Sequence, residues 1–446
     1  MKGKGKKIQG AEPDSPERSY SRMCSFITTD LPDFSMYTRE ASVLDLFTDS
    51  VRLMGDATQC AVMEFDRRLD CCVLEKAAQA CLLAHPILHS RLIRGNGPAF
   101  WEMAEQSRVP PLQIEECTNN YHGHVIGPVD PYGPLQFRVR LLRRPSGDVI
   151  VINLAHAAAD AFGLNTLSSQ LLQEYEKPGC IDPNEGGIPE RDTLWTRELD
   201  RERRTVPDEM SVINPMWPNP FGTSRQPSSF HRDNVSPPVL EAVHTYTRTL
   251  GGSINDAVMA AYYLTLSDLT DYMGPIALFF PVNLRQHLND GSRVMSNQAT
   301  NVCFPIERRA GEGMEEILPR VIEETKILKA GRIGIAEQVE MDKICDPEGR
   351  HIQQMVEKMA ALQKAGLADI FVSNPGPITL PPIEGLTDAY LCYPGGYMPT
   401  TCFVTSTFRG RMTITMGYQN SYRARTGTRK AMHLFRTYLL SLVDEC

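Results

Sequence analysis

The stretch Val151-Ile152-Asn153-Leu154-Ala155-His156-Ala157-Ala158-Ala159-Asp160-Ala161-Phe162-Gly163 decides how the rest of the chain is read. An apolar run ends on a histidine, three alanines follow, and an aspartate and a glycine stand where a new element begins. Residues 148–154 predict a buried strand, because they are almost continuously apolar. Residues 163–175 predict the helix that follows. A histidine closing such a strand can serve as a general base, since its unperturbed pKa is nearest to neutrality. The three small alanines leave space around the ring. The plainer reading is a core histidine bonded to a backbone carbonyl, with Asp160 capping the next helix. A His followed four residues later by an Asp arises by chance on the order of once in two chains of this length. The local pattern leaves both readings open.

Outward from this stretch, residues 60–65 and 136–142 predict strands, the second alternating with period two. Residues 73–83 carry apolar positions at helical spacing and stop before Pro86. Residues 177–238 differ. Lys177-Pro178-Gly179, Asn214-Pro215-Met216-Trp217-Pro218-Asn219-Pro220 and Pro237-Pro238 break regular elements. They predict a long crossover between two halves, with a short helix near 194–204. A structureless segment of that length inside one compact domain is unusual. Helices are then expected at 253–269 (Ser253 as N-cap), 313–329, 351–364 and 428–443. Strands are expected at 276–280, 370–373, 402–406 and 412–416. The organisation is a solvated tail at 1–20, a domain at 21–176, the crossover at 177–238 and a second domain at 239–446.

Composition excludes several function classes. The 446 residues are 42% hydrophobic and 22% charged, as in ordinary globular proteins. A net charge of −8 makes a poor nucleic-acid binder by bulk field. Twelve cysteines without a CxxC pair read as reduced thiols of a cytoplasmic protein. No apolar run approaches the roughly 20 residues of a transmembrane helix. The basic N-terminus lacks the apolar core of a secretory signal. There is no GxSxG elbow, HExxH pair or Walker A loop. His85 and His89 lie four apart, but no third ligand stands at a useful spacing, so no metal is expected. His122 and His124, in a Gly/Asn-rich loop, are expected to face solvent. Tyr390, Tyr393 and Tyr397, near Gly395-Gly396, fit either a channel lining or a loop packed on the core.

Residues 155–163 resemble the HHxxxDG motif of the condensation-like acyltransferases. That superfamily holds chloramphenicol acetyltransferases, peptide-synthetase condensation domains, alcohol acetyltransferases and wax ester synthase/diacylglycerol acyltransferases. Further segments match in order. Ala84-His85-Pro86-Ile87-Leu88-His89-Ser90-Arg91-Leu92 resembles the segment after the family's first helix. Ser253-Ile254-Asn255-Asp256-Ala257-Val258-Met259-Ala260-Ala261 is similar to its VNDVVLAA helix, and Pro281-Val282-Asn283-Leu284-Arg285 to its PVSLR strand end. Asn297-Gln298 with Asn301 resembles its GNQ element, and Ser373-Asn374-Pro375-Gly376-Pro377 its SNVPGP element. The likeness spans about residues 45–440. Two positions depart from it: Ala155 stands where the first His is usual, and Ala161 where Gly follows the Asp.

The resemblance implies an α/β (α+β) fold of two chloramphenicol-acetyltransferase-like domains, each a mixed sheet flanked by helices. The two are arranged in a V with a channel between them. It implies transfer of an acyl group from a thioester, on coenzyme A or on the phosphopantetheine of an acyl carrier protein, to a hydroxyl or amine. His156 is then the catalytic residue, and no cofactor is held permanently. Asp160 holds the His loop through a buried ion pair with Arg91 or Arg285, and Gly163 supports it. Asn255, Ser373, Asn374, Thr405 and Ser406 are the candidates for oxyanion or channel contacts. Two alternative functions follow from the same fold. One is a condensation-type module of peptide or polyketide assembly using a carrier protein in trans. The other is a non-catalytic binding protein, which the two departures favour.

Overall fold

A computed structural model describes residues 38–104, 110–182, 217–222, 228–287, 295–346, 348–368, 370–394 and 401–443. The expected tail at 1–20, the helix near 194–204, Gly395-Gly396 and Tyr397 lie outside the described residues.

The strand before His156 runs from Gly147–Ala155 (β4), and every residue of it is buried. It lies in the middle of a sheet. Thr58–Phe65 (β1) pairs with it antiparallel on one side and Phe137–Arg144 (β3) on the other. Leu112–Glu116 (β2) extends the sheet parallel to β3. The fifth strand, Leu386–Cys392 (β9), pairs antiparallel with β1. The order is therefore β9-β1-β4-β3-β2. β9 belongs by chain position to the second expected domain, yet it is hydrogen-bonded into the first sheet. Helices Cys71–Ala84 (α2) and Ala161–Glu176 (α3) pack on this sheet. Asp70 caps α2 by accepting from the N–H groups of Cys72 and Val73.

The second sheet has six strands: Ser228–Val235 (β5), Pro275–Asn283 (β6), Ala299–Glu307 (β7), Ile370–Ser373 (β8), Thr401–Phe408 (β10) and Arg411–Gln419 (β11). Their order is β7-β6-β8-β10-β11-β5, with β8 parallel to both neighbours. Pro237–Thr249 (α4), Ile254–Thr270 (α5), Met314–Ala330 (α6) and Tyr422–Ser441 (α9) share a second apolar core with it. The molecule thus has two mixed sheets flanked by helices, the α/β class expected. Val43–Ser50 (α1) packs through Val43 and Leu44 on Ile335–Ile344 (α7) and Arg350–Lys364 (α8). An early segment of the chain is thereby seated on late ones.

Three differences from expectation have local causes. The crossover at 177–238 contains the edge strand β5, whose Ser-Ser-Phe-His-Arg-Asp-Asn-Val sequence shows no apolar alternation because few of its side chains are buried. Pro237-Pro238 opens α4 instead of breaking the chain. Proline is tolerated in a first helical turn, where its missing N–H has no partner to lose. α9 starts at Tyr422, six residues before the expected 428, because the Ser421 hydroxyl caps it by accepting from Ala424 N–H at 3.1 Å.

Candidate active site

His156 is the first residue beyond β4. Its backbone N–H donates to the Ala57 carbonyl at 3.1 Å, which turns the chain off the sheet. The three alanines pack into the first core and are almost wholly buried. Their small size lets the loop enter that core. Asp160 caps α3, its Oδ1 accepting from Gly163 N–H at 3.0 Å. A Cβ on Gly163 would come within 2.8 Å of Ala159 Cβ and 2.9 Å of Met295 Sδ. Gly163 is therefore needed for close approach. Ala161 sits in the first turn of α3 and is not among the positive-φ residues, so glycine's conformational freedom is not required there.

The other half of the chain holds the loop. Arg285, in the turn after β6, donates to Asp160 Oδ2 at 2.7 Å and to the Ser296 carbonyl at 2.9 Å. Both members of this ion pair are buried, at 4% and 3% side-chain exposure. Gln298 N–H adds a second donor to Asp160 Oδ2 at 2.8 Å. The Arg285 guanidinium also lies 4.7 Å from the Phe162 ring centre. Arg91, the other candidate partner, is elsewhere, paired with Glu102 at the surface. Two amides complete the hold. Gln59 Nε2 donates to the Ala159 carbonyl at 2.7 Å, and Asn297 Nδ2 to the Ala157 carbonyl at 2.8 Å.

The imidazole itself is half-buried. Its Nδ1 is sealed from solvent, and the Tyr393 ring stands edge-on at 6.3 Å. Burial pushes the His156 pKa below its ordinary value, against the weaker pull of its own carbonyl, the Asp160 carboxylate, the Asn297 side chain and the Ala159 carbonyl. At neutral pH the ring is uncharged and can accept a proton. Burial likewise raises the Tyr393 phenol, aided by nearby Asp56 and Cys402. Asp56 is itself raised by burial.

The remaining expected residues are dispersed. Ser373 ends β8, and Asn374 Oδ1 accepts from Gly376 N–H at 3.2 Å. Thr405 shares the strand side of Phe403, which packs on Tyr262 in the second core. Ser406 faces the opposite way and accepts from Leu391 N–H at 3.1 Å, joining β10 to β9. Asn255 lies half-buried in the first turn of α5. His85 and His89 do not share a helical face, because α2 ends at Ala84. His85 bonds Gln170 at 2.7 Å. His122, expected in solvent, is half-buried beside Tyr121 and Phe230. Tyr390 is not beside the His loop but in a buried cluster, 3.2 Å from the Tyr121 hydroxyl with Arg232 over its ring at 4.1 Å. Gln59 carried no sequence signal, nor did Asp45, whose Oδ1 accepts from Asn297 Nδ2 at 3.1 Å, and Asn297 carried only the short GNQ-like element.

No family model and no curated protein sequence matches this chain. Solved structures do. The fold is similar to polyketide synthase associated protein 5 from Mycobacterium tuberculosis, with 16% identity, 92% of this chain and 99% of that one covered, and a TM-score of 0.63. It is similar to TRI3 trichothecene 15-O-acetyltransferase from Fusarium sporotrichioides, at 11% identity, 91% and 95% coverage and a TM-score of 0.66. The epimerization domain from the third module of tyrocidine synthetase B is a further relative in fold, at 13% identity, 93% and 99% coverage and a TM-score of 0.58. The chain thus shares its overall fold with these three proteins. No helix among the described residues is long and apolar enough to cross a membrane.

Proposed function

We propose that the protein is an acyltransferase that moves an acyl group from a thioester donor to a hydroxyl or amine, with His156 as general base. One observation carries the reading. A half-buried, neutral imidazole stands on a loop clamped by the buried Asp160–Arg285 pair between the two halves of the molecule. In the proposed step, His156 takes the proton as the acceptor oxygen or nitrogen attacks the thioester carbonyl. The tetrahedral intermediate then expels the thiolate, which recovers the proton from the imidazolium. The products are an ester or amide and a free thiol. A donor aimed at the transient oxyanion is worth about 3 kcal/mol. Ser406 is the favoured candidate, since its strand side faces the core that holds the His loop.

The donor is either acyl-coenzyme A or an acylated carrier protein. The structural likeness to a polyketide synthase associated protein and to peptide-synthetase domains supports the carrier-borne form. The test offers acyl-coenzyme A of graded chain length, and separately acylated carrier protein, with mixed alcohols and amines, followed by mass spectrometry. Turnover lost in His156→Ala at unchanged thermal stability supports the proposal. Turnover that survives His156→Ala overturns the base assignment. Binding without turnover in the wild type favours the non-catalytic reading.

A further inference from the structure

The turn that opens α2 carries Asp70, Cys71 and Cys72 in succession, separate from His85 and His89. Among the described residues this is the one place where three side chains of metal-ligand type gather. A carboxylate oxygen and the two thiol sulfurs all lie within 4.8 Å of one another. Adjacent residues of a helix point about 100° apart, so the two thiols meet only because they lean toward a common point. Both are half-buried and open in part to solvent. The carboxylate is already oriented. Asp70 Oδ1 accepts from the N–H groups of Cys72 at 2.8 Å and Val73 at 3.1 Å, and the Asp70 backbone N–H donates to the Tyr175 hydroxyl of α3 at 2.9 Å. Zinc–sulfur bonds of about 2.3 Å at tetrahedral angles set two sulfurs about 3.8 Å apart, so the trio needs to close by no more than about 1 Å. The charges also suit a dication. Arg68 and Arg143 both pair with the buried Asp148, at 2.8 and 2.9 Å, which leaves one positive charge beside Leu69, whose carbonyl accepts from Arg143 at 3.3 Å. Two thiolates and a carboxylate around a divalent ion carry one negative charge, as Asp70 does alone beside two protonated thiols. Binding therefore leaves the local balance unchanged.

We propose that Asp70, Cys71 and Cys72 form a binding site for one thiophilic divalent ion of the zinc and cadmium class, with water completing a tetrahedral shell. The ion displaces both thiol protons. Two S–H bonds break, two metal–sulfur bonds form, and two protons leave to solvent. No electron is exchanged, so no oxidant or reductant enters. Thiolate sulfur selects ions of this class over magnesium and calcium, which take oxygen ligands. Burial, with the adjacent Cys72, raises the Cys71 thiol above its ordinary value against the pull of Arg143, so Cys71 is a protonated thiol at neutral pH until an ion arrives. The inference is independent of the acyltransferase proposal, since none of the three residues belongs to the His156 loop or to the groups that hold it.

The experiment titrates the full chain, reduced with a phosphine, with cadmium at neutral pH and follows the sulfur-to-cadmium charge-transfer band. Zinc is then tested by competition. One ion per chain is expected, with release of about two protons measured by calorimetry in two buffers of different ionisation enthalpy. Cys71→Ser and Cys72→Ser should each weaken binding at least about 100-fold, beyond the roughly 10–100-fold lost with a group that only supports a ligand. Asp70→Asn keeps the helix cap, because asparagine caps as well as aspartate. It should weaken binding about tenfold or more while the metal-free chain keeps its thermal stability, an effect that a merely capping Asp70 would not produce. Cys180→Ser removes an exposed cysteine outside the trio and should change nothing. X-ray absorption of the zinc-loaded wild type should show two sulfur neighbours, the rest of the shell being oxygen, and it decides the matter even if the variants do not fold. A shell with three or more sulfurs or with none overturns the inference. So does binding unchanged in either serine variant or in Asp70→Asn, or no stoichiometric ion at micromolar free metal.

Discussion

Replacing Arg285 by leucine is the sharpest probe of the joint between the halves. In the native structure Asp160 Oδ2 accepts from Arg285 at 2.7 Å and from Gln298 N–H at 2.8 Å, with both charged side chains almost fully buried. Arg285→Leu leaves the carboxylate buried with backbone donors alone. Removing one partner of a buried ion pair costs about 3–5 kcal/mol. The Ser296 carbonyl also loses its donor, worth about 1 kcal/mol. The expected loss is therefore about 4–6 kcal/mol, most of the margin of an ordinary domain. Urea unfolding followed by tryptophan emission measures it, because Trp101 and Trp217 are buried at 0% and 1% exposure. Adding Asp160→Ala to Arg285→Leu removes both charges, so the double variant should lose at least about 2 kcal/mol less than the sum of the singles. Arg91→Leu is the control. Its partner Glu102 is at the surface, and the change should stay within about 1 kcal/mol. A loss below about 1 kcal/mol in Arg285→Leu, or strict additivity in the cycle, refutes the view that this pair locks the loop.

Three further outcomes are expected. Gly163→Ala should cost about 1–3 kcal/mol in the same unfolding assay, because the new methyl meets Ala159 and Met295, whereas Ala161→Gly should cost no more than about 1 kcal/mol. Burial lowers the His89 pKa to about 4, so the unfolded chain takes up a proton near pH 6.5 while the folded one does not. This contribution to stability is complete above pH 6.5 and is lost as pH falls toward 4. His89→Gln should therefore flatten the fall in the urea midpoint between pH 7 and 4.5. Arg232→Ala should destabilise by about 3 kcal/mol, since Arg232 bonds both Glu64 of β1 and Asp388 of β9 and covers Tyr390; a change below about 1 kcal/mol removes it as a clasp of the first sheet.

What was legible in the sequence is what local forces decide. The apolar run of β4 and the N-caps at Asp160 and Ser253 involve residues within a few positions of one another, where periodicity and N-cap chemistry apply. The choice between Arg91 and Arg285 was not legible, because the pairing joins residues 125 positions apart. Nor was β9 crossing to the first sheet. No strand was expected at 386–392, and only the pairing of Ala389 with Met63 and its neighbours places one there. Asp45 and Asn297 are 252 positions apart. A buried polar contact of that span leaves no pattern in the chain, since each residue alone looks like a surface side chain.

The two departures from the HHxxxDG pattern can now be weighed against the groups that hold the loop. Ala155 ends β4 with its N–H on the Gln136 carbonyl, and it pairs with Thr58. Its neighbour His156 projects to the other side of the strand line. Ala161 occupies an ordinary helical first turn. Neither position supplies a hydrogen bond to Asp160, Arg285, Gln298, Asn297 or Gln59. The fixed groups are the side chain of Asp160, which needs a carboxylate, and Gly163, where a methyl does not fit. An alanine at 155 in place of the pattern's first histidine therefore leaves the hold on His156 intact. A hydrophobic pair of similar volume is often as stable or more so, but removing either partner alone leaves a buried unpaired charge, so the pair holds the loop whether or not the imidazole does chemistry. Asp160 and Arg285 therefore fix the position of the His156 loop, and turnover in His156→Ala decides whether that position is used.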